Sequence, residues 1–289
     1  MELLLGYLET RQWDKAWLEF ERLSEAGPPN ARLWLQGSLA AFGRADYFRA
    51  RQLADRALTT WGPSDSPKLL GQIRFHLGMV TRKIGDSHVA VEQFQLFISE
   101  LSSKYPELVM GEGKAYFYLA LTLRERRDLE GAVAAYQKAV GSFRRDGLPS
   151  LLCASLQNFA WLLCTMGRTA EATDALSEAS TLAKTSEDHI HQTLGEAYLA
   201  SVQGHYAQAT ELCEMIFRRA ERGESVDPEE RAQAAWIAGT IAMHQGNHTG
   251  AAALADIALA HATDAKDSRL MNDANNLKRS IHMKQQAGA

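Results

Sequence analysis

Seven copies of one short pattern run through the chain, and they constrain its fold more than any other feature. The copies are RQWDKA (Arg11–Ala16), ADYFRA (Ala45–Ala50), GDSHVA (Gly85–Ala90), RDLEGA (Arg127–Ala132), GRTAEA (Gly167–Ala172), GHYAQA (Gly204–Ala209) and GNHTGA (Gly246–Ala251). Their closing alanines follow one another at offsets of 34, 40, 42, 40, 37 and 42 residues. Twelve residues before the alanine stands a small residue in six copies, Ser38, Gly78, Ala120, Ala160, Ala197 and Gly239, with Leu4 in the other. Four residues after it come Phe20, Phe94, Tyr136 and Leu176 in the better copies. A register held on both sides of a turn is the mark of a repeated supersecondary unit. Such a unit buries its apolar face only against its neighbours.

The unit is helical. The seven prolines fall in a few breaks, at Pro28, Pro29, Pro63, Pro67, Pro106, Pro149 and Pro228. Between them lie stretches rich in Ala, Leu, Glu, Gln and Arg, which are good helix formers. Apolar residues recur there at three and four, as in Leu119 and Leu123 or Val133, Tyr136 and Val140, which is the period of a helix. No period-two run appears, so the chain reads as all-α. Gly85, Gly167, Gly204 and Gly246 suit the left-handed residue that ends a helix. Asp46, Asp86, Asp128 and Asn247 follow as N-caps of the next one.

Two helices joined this way, with small residues where the backbones approach and an aromatic one turn later, resemble the tetratricopeptide repeat. Trp34 matches the early aromatic position of that family, Pro28 its terminal proline, and the first offset its 34-residue length. The resemblance implies a right-handed α-solenoid of about seven hairpins in a single superhelical domain over 1–289. Its repeats span about 1–28, 30–62, 69–105, 111–146, 150–185, 189–222 and 229–265. A polar capping helix follows at 267–286, where DSRLMNDANNLKRSIHMKQQ has no partner hairpin. Leu3 and Leu4 already occupy the middle of the first helix, so the register predicts an abrupt start or the loss of something upstream.

Composition removes several functions. Lys+Arg number 31 against 35 Asp+Glu, a net charge of −4, and a general nucleic-acid binder carries a basic excess. No apolar run reaches membrane-spanning length, and Met1–Leu8 lacks the basic residues of a secretion signal. Three cysteines are too few for a disulfide framework. The expectation is a cytoplasmic protein with Cys153, Cys164 and Cys213 as buried small hydrophobes. Gly111–Ala115 (GEGKA) lacks the spacing and final Ser/Thr of a phosphate-binding loop and reads as a loop or the first turn of a helix. His189 with His191, and His244 with His248, have no accompanying cysteine or carboxylate set. No catalytic triad, metal set or cofactor motif emerges, and the chain reads as non-enzymatic.

The family resemblance places ligand contacts on the first helix of each pair. On this chain those positions hold Gln72, Phe75, Met79, Arg82, Lys83, Lys114, Phe117, Leu121 and Arg124, then Gln157, Asn158, Trp161, His191, Tyr198, Gln233, Trp236, Thr240 and His244. Aromatic anchors beside cations suit a short extended peptide with an apolar side chain and a carboxylate. The family's best-known clamp on a C-terminal carboxylate needs Lys and Asn where this chain has Phe75 with Met79 and Phe117 with Leu121, so that mode is absent. The long spacing and seven alanine-rich pairs are similar to the repeat domain of Gram-positive peptide-sensing, quorum-sensing regulators. Those often carry an upstream DNA-binding domain and use a first-helix asparagine, here Asn158, to hold a peptide backbone. The leading expectation is a peptide- or protein-binding module, as a sensor or regulatory domain. The alternative is a structural scaffold or self-associating adaptor, with a homodimer formed through Trp13, Trp17 and Phe20.

Overall fold

Helix direction reverses at every copy of the motif, and one backbone device performs each reversal. The turn residue has positive φ in all seven copies: Arg11 (54°), Ala45 (59°), Gly85 (94°), Arg127 (65°), Gly167 (72°), Gly204 (80°) and Gly246 (77°). The next residue's N–H then bonds the carbonyl five residues back, as in Gln12 to Tyr7 (2.8 Å), Asp86 to Thr81 (2.9 Å) and Asn247 to Ala242 (2.9 Å). This Schellman arrangement satisfies carbonyls that the end of the first helix would leave orphaned. The second helix begins at once. Asp46, Asp86, Asp128 and Asn247 accept from the backbone N–H three residues on, at 2.9–3.4 Å.

The computed structural model describes residues 1–102, 105 and 109–287. Pro106 therefore lies outside the described residues. The chain divides into two compact units, Met1–Asp146 and Gly147–Ala289. The first unit holds four helix pairs: α1 (Glu2–Glu9) with α2 (Trp13–Glu25), α3 (Ala31–Gly43) with α4 (Tyr47–Thr60), α5 (Pro67–Ile84) with α6 (Ser87–Leu96), and α7 (Val109–Glu125) with α8 (Leu129–Arg145). A π-helical turn over Phe97–Ser102 continues α6. The second unit holds α9 (Pro149–Thr165) with α10 (Thr169–Leu182), α11 (Ser186–Val202) with α12 (Tyr206–Glu221), α13 (Pro228–His244) with α14 (His248–Asp264), and then α15 (Ser268–Ala287). No strand occurs among the described residues. Gly111–Ala115 lies inside α7, and Pro67, Pro149 and Pro228 open their helices, where a missing N–H removes no bond.

Within a pair the helices touch at the motif alanine, and all seven of these alanines are fully buried. The small residue twelve positions earlier is their neighbour. Ser38 Oγ donates to the Ala50 carbonyl at 2.5 Å, and a Cβ placed on Gly239 would lie 3.4 Å from the Ala251 carbonyl. The aromatic one turn later fills the space a side chain would have taken. A Cβ on Gly78 would stand 2.7 Å from the Phe94 ring, well inside ordinary carbon contact. The same fit joins successive pairs, because a Cβ on Gly37 would meet the Phe20 ring at 2.4 Å.

The last pair is closed by α15. Leu270, Ala274, Leu277 and Ile281 form its buried stripe, and Leu277 and Ile281 join Ala242, Ala251 and Ala255 in one cluster. At the other end the structure corrects an expectation. Phe20 is core rather than surface, Trp13 packs on Gly43, and Trp17 lies half-buried with the Arg44 and Arg49 guanidinium groups over its ring. On α2 and α4 the exposed large apolar side chains are instead Leu18 and Phe48, at 64% and 73% exposure.

Three of the seven turns use a residue with a Cβ in the left-handed region, which costs about 1 kcal/mol or more each. Ala45→Gly and Arg127→Gly should each raise unfolding stability in urea by about 1 kcal/mol with an unchanged denaturant slope. A loss of stability at both sites would contradict this account of the turns.

Candidate functional site

In the second unit the first helices α9, α11 and α13 bring three of the expected ligand-contact residues together. The Trp161 and Tyr198 ring centroids are 4.5 Å apart, those of Tyr198 and Trp236 5.5 Å, and those of Trp161 and Trp236 6.2 Å. All three rings are half-buried. One side packs on the core containing Leu194, Ala197 and Ile237, and part remains open. Helical spacing explains the meeting, because one ring per first helix lands on the same face of consecutive pairs. Thr165 Oγ1 lies 3.4 Å from the Tyr198 hydroxyl and donates to the Trp161 carbonyl, as Thr240 does to Trp236. Between α12 and α13 the imidazole of His244 stacks on Tyr206 at 6.0 Å and 10°.

One helix turn or two from the rings, the chain supplies fixed polar contacts. His191 Nε2 lies 3.3 Å from Glu230 Oε1. Glu230 is buried, and its other oxygen accepts from the Asp227 N–H in the capping box that starts α13. Burial opposes protonation of His191, but the hydrogen bond and charge of Glu230, with Glu187 and Glu229 nearby, outweigh it and raise its pKa above the ordinary value. Gln157 is buried and donates to the Asp188 carbonyl at 2.9 Å, which ties α9 to the start of α11. Asn158 donates to the Ala154 carbonyl of its own helix at 3.0 Å. Gln233 lies three residues before Trp236 and donates to Glu229 at 3.4 Å.

In the first unit the remaining expected residues separate into packed and exposed ones. Phe75 makes edge contacts with Phe94, Phe97 and Tyr118 at 5.6–6.0 Å, and Phe117 does so with Tyr118 and Tyr136 at 5.4–6.0 Å. Leu121 is buried, so it belongs to the interior. Arg82 donates to Glu125 at 2.6 Å, which balances its charge. Lys83 and Lys114 are exposed and Arg124 is half-buried. Gln72, Phe75 and Met79 also line a cavity of about 650 Å³ between α1, α3 and α5. Sequence spacing alone did not indicate the contributions of Leu5, Leu8, Phe42, Lys68 and His76 to it. Those come from helices that meet only when hairpins stack.

The chemistry of this unit is structural where it looks catalytic. Ser38 Oγ lies 2.8 Å from His76 Nε2, the separation of a nucleophile and its base. Ser38 is fully buried and gives its proton to the Ala50 carbonyl, so towards His76 it accepts, and Nε2 carries the imidazole proton. In the second unit, burial pushes the thiols of Cys153, Cys164 and Cys213 up to about 11, 12 and 12, away from the reactive thiolate range. Among the described residues no three His, Cys, Asp or Glu side chains come together as a metal site, and no helix is long and apolar enough to cross a membrane.

Neither a protein-family model nor a curated protein sequence matches the chain. Solved structures do. A tetratricopeptide repeat protein from Parabacteroides merdae superposes with a TM-score of 0.67 at 14% identity over 96% of this chain and 96% of its own. The apo form of RapI gives 0.64 at 13% identity, covering 95% of this chain and 82% of RapI. A Rap protein complexed with competence and sporulation factor gives 0.65 at 12%, covering 98% and 86%. The chain has the tetratricopeptide-repeat fold, an α-solenoid of helix hairpins.

The buried His76 makes stability depend on pH. Burial lowers its pKa from 6.5 to about 4, outweighing the contact with Ser38. The unfolded chain therefore takes up a proton near pH 6.5 while the folded chain stays neutral. This contribution is complete above pH 6.5 and is lost as the pH falls from there to about 4, a change on the order of 3 kcal/mol. Urea denaturation at pH 7 and pH 4.5 should show a smaller loss for His76→Gln than for the wild type. Equal losses would remove His76 as the cause.

Proposed function

We propose that this chain is a non-enzymatic binding module whose first-helix faces grip a short extended peptide or protein segment, as the sensor or regulatory part of a larger system. One observation carries the reading: Trp161, Tyr198 and Trp236 form a contiguous, half-open aromatic surface on α9, α11 and α13. Rings held from below by a core lose little entropy when they bind, and such residues dominate binding energy at protein interfaces. Thr165 and Thr240 stand beside them, and His191 lies two helix turns before Tyr198, with hydrogen-bonding groups for a peptide backbone. A Rap protein of the same fold has been solved in complex with competence and sporulation factor. That complex supports ligand binding as a use of this architecture. The repeats set out from the sequence are the units that present these faces, and bound segments would follow them from pair to pair.

A second reading, self-association through α2 and α4, rests on a different observation. Leu18 on α2 and Phe48 on α4 are large apolar side chains left mostly in solvent. They replace Trp13, Trp17 and Phe20 as the residues through which a homodimer would form.

Selection of a random peptide library on the full chain should enrich binders whose addition changes tryptophan fluorescence. Trp161→Ala and Trp236→Ala should each weaken them by at least about tenfold. Enriched peptides indifferent to both substitutions would remove the aromatic surface as the site. Light scattering tests the second reading: a dimer that Phe48→Asp converts to monomer supports it, and a monomeric wild type ends it.

A further inference from the structure

The exposed face of α2 carries an order of charges that its own reverse would match. The exposed side chains of this helix are Asp14, Lys15, Leu18, Glu21, Arg22 and Glu25, and their spacing of three and four places them on one stripe. Leu18 stands at its centre, 64% exposed. Arg11, exposed in the turn before the helix, extends the stripe by one more position. Counted outward from Leu18, Lys15 and Glu21 are both three residues away, Asp14 and Arg22 four, and Arg11 and Glu25 seven. Each equidistant pair is of opposite sign. The cations balance the carboxylates, so the face draws neither a strongly acidic nor a strongly basic partner. Two of these groups have partners within the chain, Arg22 with Glu19 at 2.7 Å and Asp14 with Arg44 at 2.9 Å. Their side chains stay 63% and 86% exposed, and a guanidinium or a carboxylate has room for a second partner. Lys15 and Glu21 enter no ion pair among the described residues. The Lys15 ammonium lies 5.8 Å from the Tyr7 ring centre, which brings that side of α1 alongside. One turn before Tyr7 stands Leu3, also exposed.

We propose that two copies of this chain pair through α2, each helix lying antiparallel on its counterpart across a two-fold axis at Leu18. The inference rests on the self-association reading and adds to it the contact helix and its register. A two-fold contact sets residue i of one copy on residue j of the other, and j on i. With the axis at Leu18, Leu18 meets Leu18, Lys15 meets Glu21, Asp14 meets Arg22 and Arg11 meets Glu25, and each charge pair forms twice. Leu3 adds apolar surface beside the central contact. A parallel pairing would set every charge on its like. An antiparallel slip of three or four residues in either direction puts Leu18 opposite a charged residue and keeps at most one of the three pairs. The order of charges therefore selects one register, as flanking charges do between the helices of a coiled coil. The apolar centre is small, so the dimer is weak, forms with rising concentration and loosens in salt.

Sedimentation of the full chain at low salt should show a monomer–dimer equilibrium with a dissociation constant below about 1 mM. Lys15→Glu and Glu21→Lys should each weaken it by about tenfold, because each sets two like-charge contacts across the axis. The double exchange, Lys15→Glu with Glu21→Lys, should return the dissociation constant to that of the wild type. Both side chains are exposed, so all three variants should keep the urea midpoint of the wild-type monomer. Leu18→Cys should be joined to its counterpart by a short bis-maleimide that spans about the 8–10 Å between packed helix axes, while the native cysteines are buried. A wild type that stays monomeric to about 1 mM overturns the proposal and the self-association reading together. A dimer indifferent to the single exchanges, one that the double exchange does not restore, or one that Leu18→Cys does not cross-link overturns the α2 register. If Phe48→Asp still dissolves that dimer, self-association stands without it.

Discussion

The structure depends on how closely two helices of a hairpin can approach. At the motif alanine the second helix presents only a methyl group, and the residue twelve positions earlier on the first helix is small in six of the seven pairs. The Ser38 hydroxyl on the Ala50 carbonyl and the bare Cα of Gly239 over the Ala251 carbonyl show the consequence. Side-chain volume removed at one level returns one turn later, where Phe94 occupies the space over Gly78. Adding a carbon at such a point overpacks it, at about 1–3 kcal/mol. The hairpin is thus a tight pair whose aromatic residues fill the space its small residues leave, within the pair as Phe94 does over Gly78 and between pairs as Phe20 does over Gly37.

Reversal of direction without a long loop makes that pairing possible. A single left-handed residue, a hydrogen bond to a carbonyl five residues back and an immediate N-cap bring the chain round with its backbone groups satisfied. The device tolerates Arg11, Ala45 and Arg127 where glycine would be easier. The hydrogen bonds and the packing on either side hold them there. The turn geometry is constant, so every first helix presents the same face in each unit. A recurring aromatic residue then becomes a surface instead of an isolated side chain, as Trp161, Tyr198 and Trp236 show.

The aromatic surface of the second unit and the cavity of the first differ in kind. The aromatic surface is pre-formed and half-open, backed by core and edged by hydroxyls and the His191–Glu230 pair. The cavity between α1, α3 and α5 is lined mostly by apolar side chains, with Arg32, Lys68 and Glu9 as its charged ones.

Local, repeated features were fixed in the sequence. The seven hairpins, their turns, four of the N-caps and the capping helix follow from spacing, glycine, aspartate and alanine, because each depends on residues within one hairpin. The three rings on α9, α11 and α13 were also readable, since equal positions on equal helices must share a face. Stacking decided the rest. The edge contacts of Phe75 and Phe117 and the burial of Phe20 and Leu121 depend on how deep a side chain lies between neighbouring helices. The pairing of Arg82 with Glu125, and of His76 with Ser38, joins residues 43 and 38 positions apart. Periodicity specifies the face on which a residue stands. What it touches there is set by the neighbouring hairpin, whose side chains are chosen elsewhere in the chain.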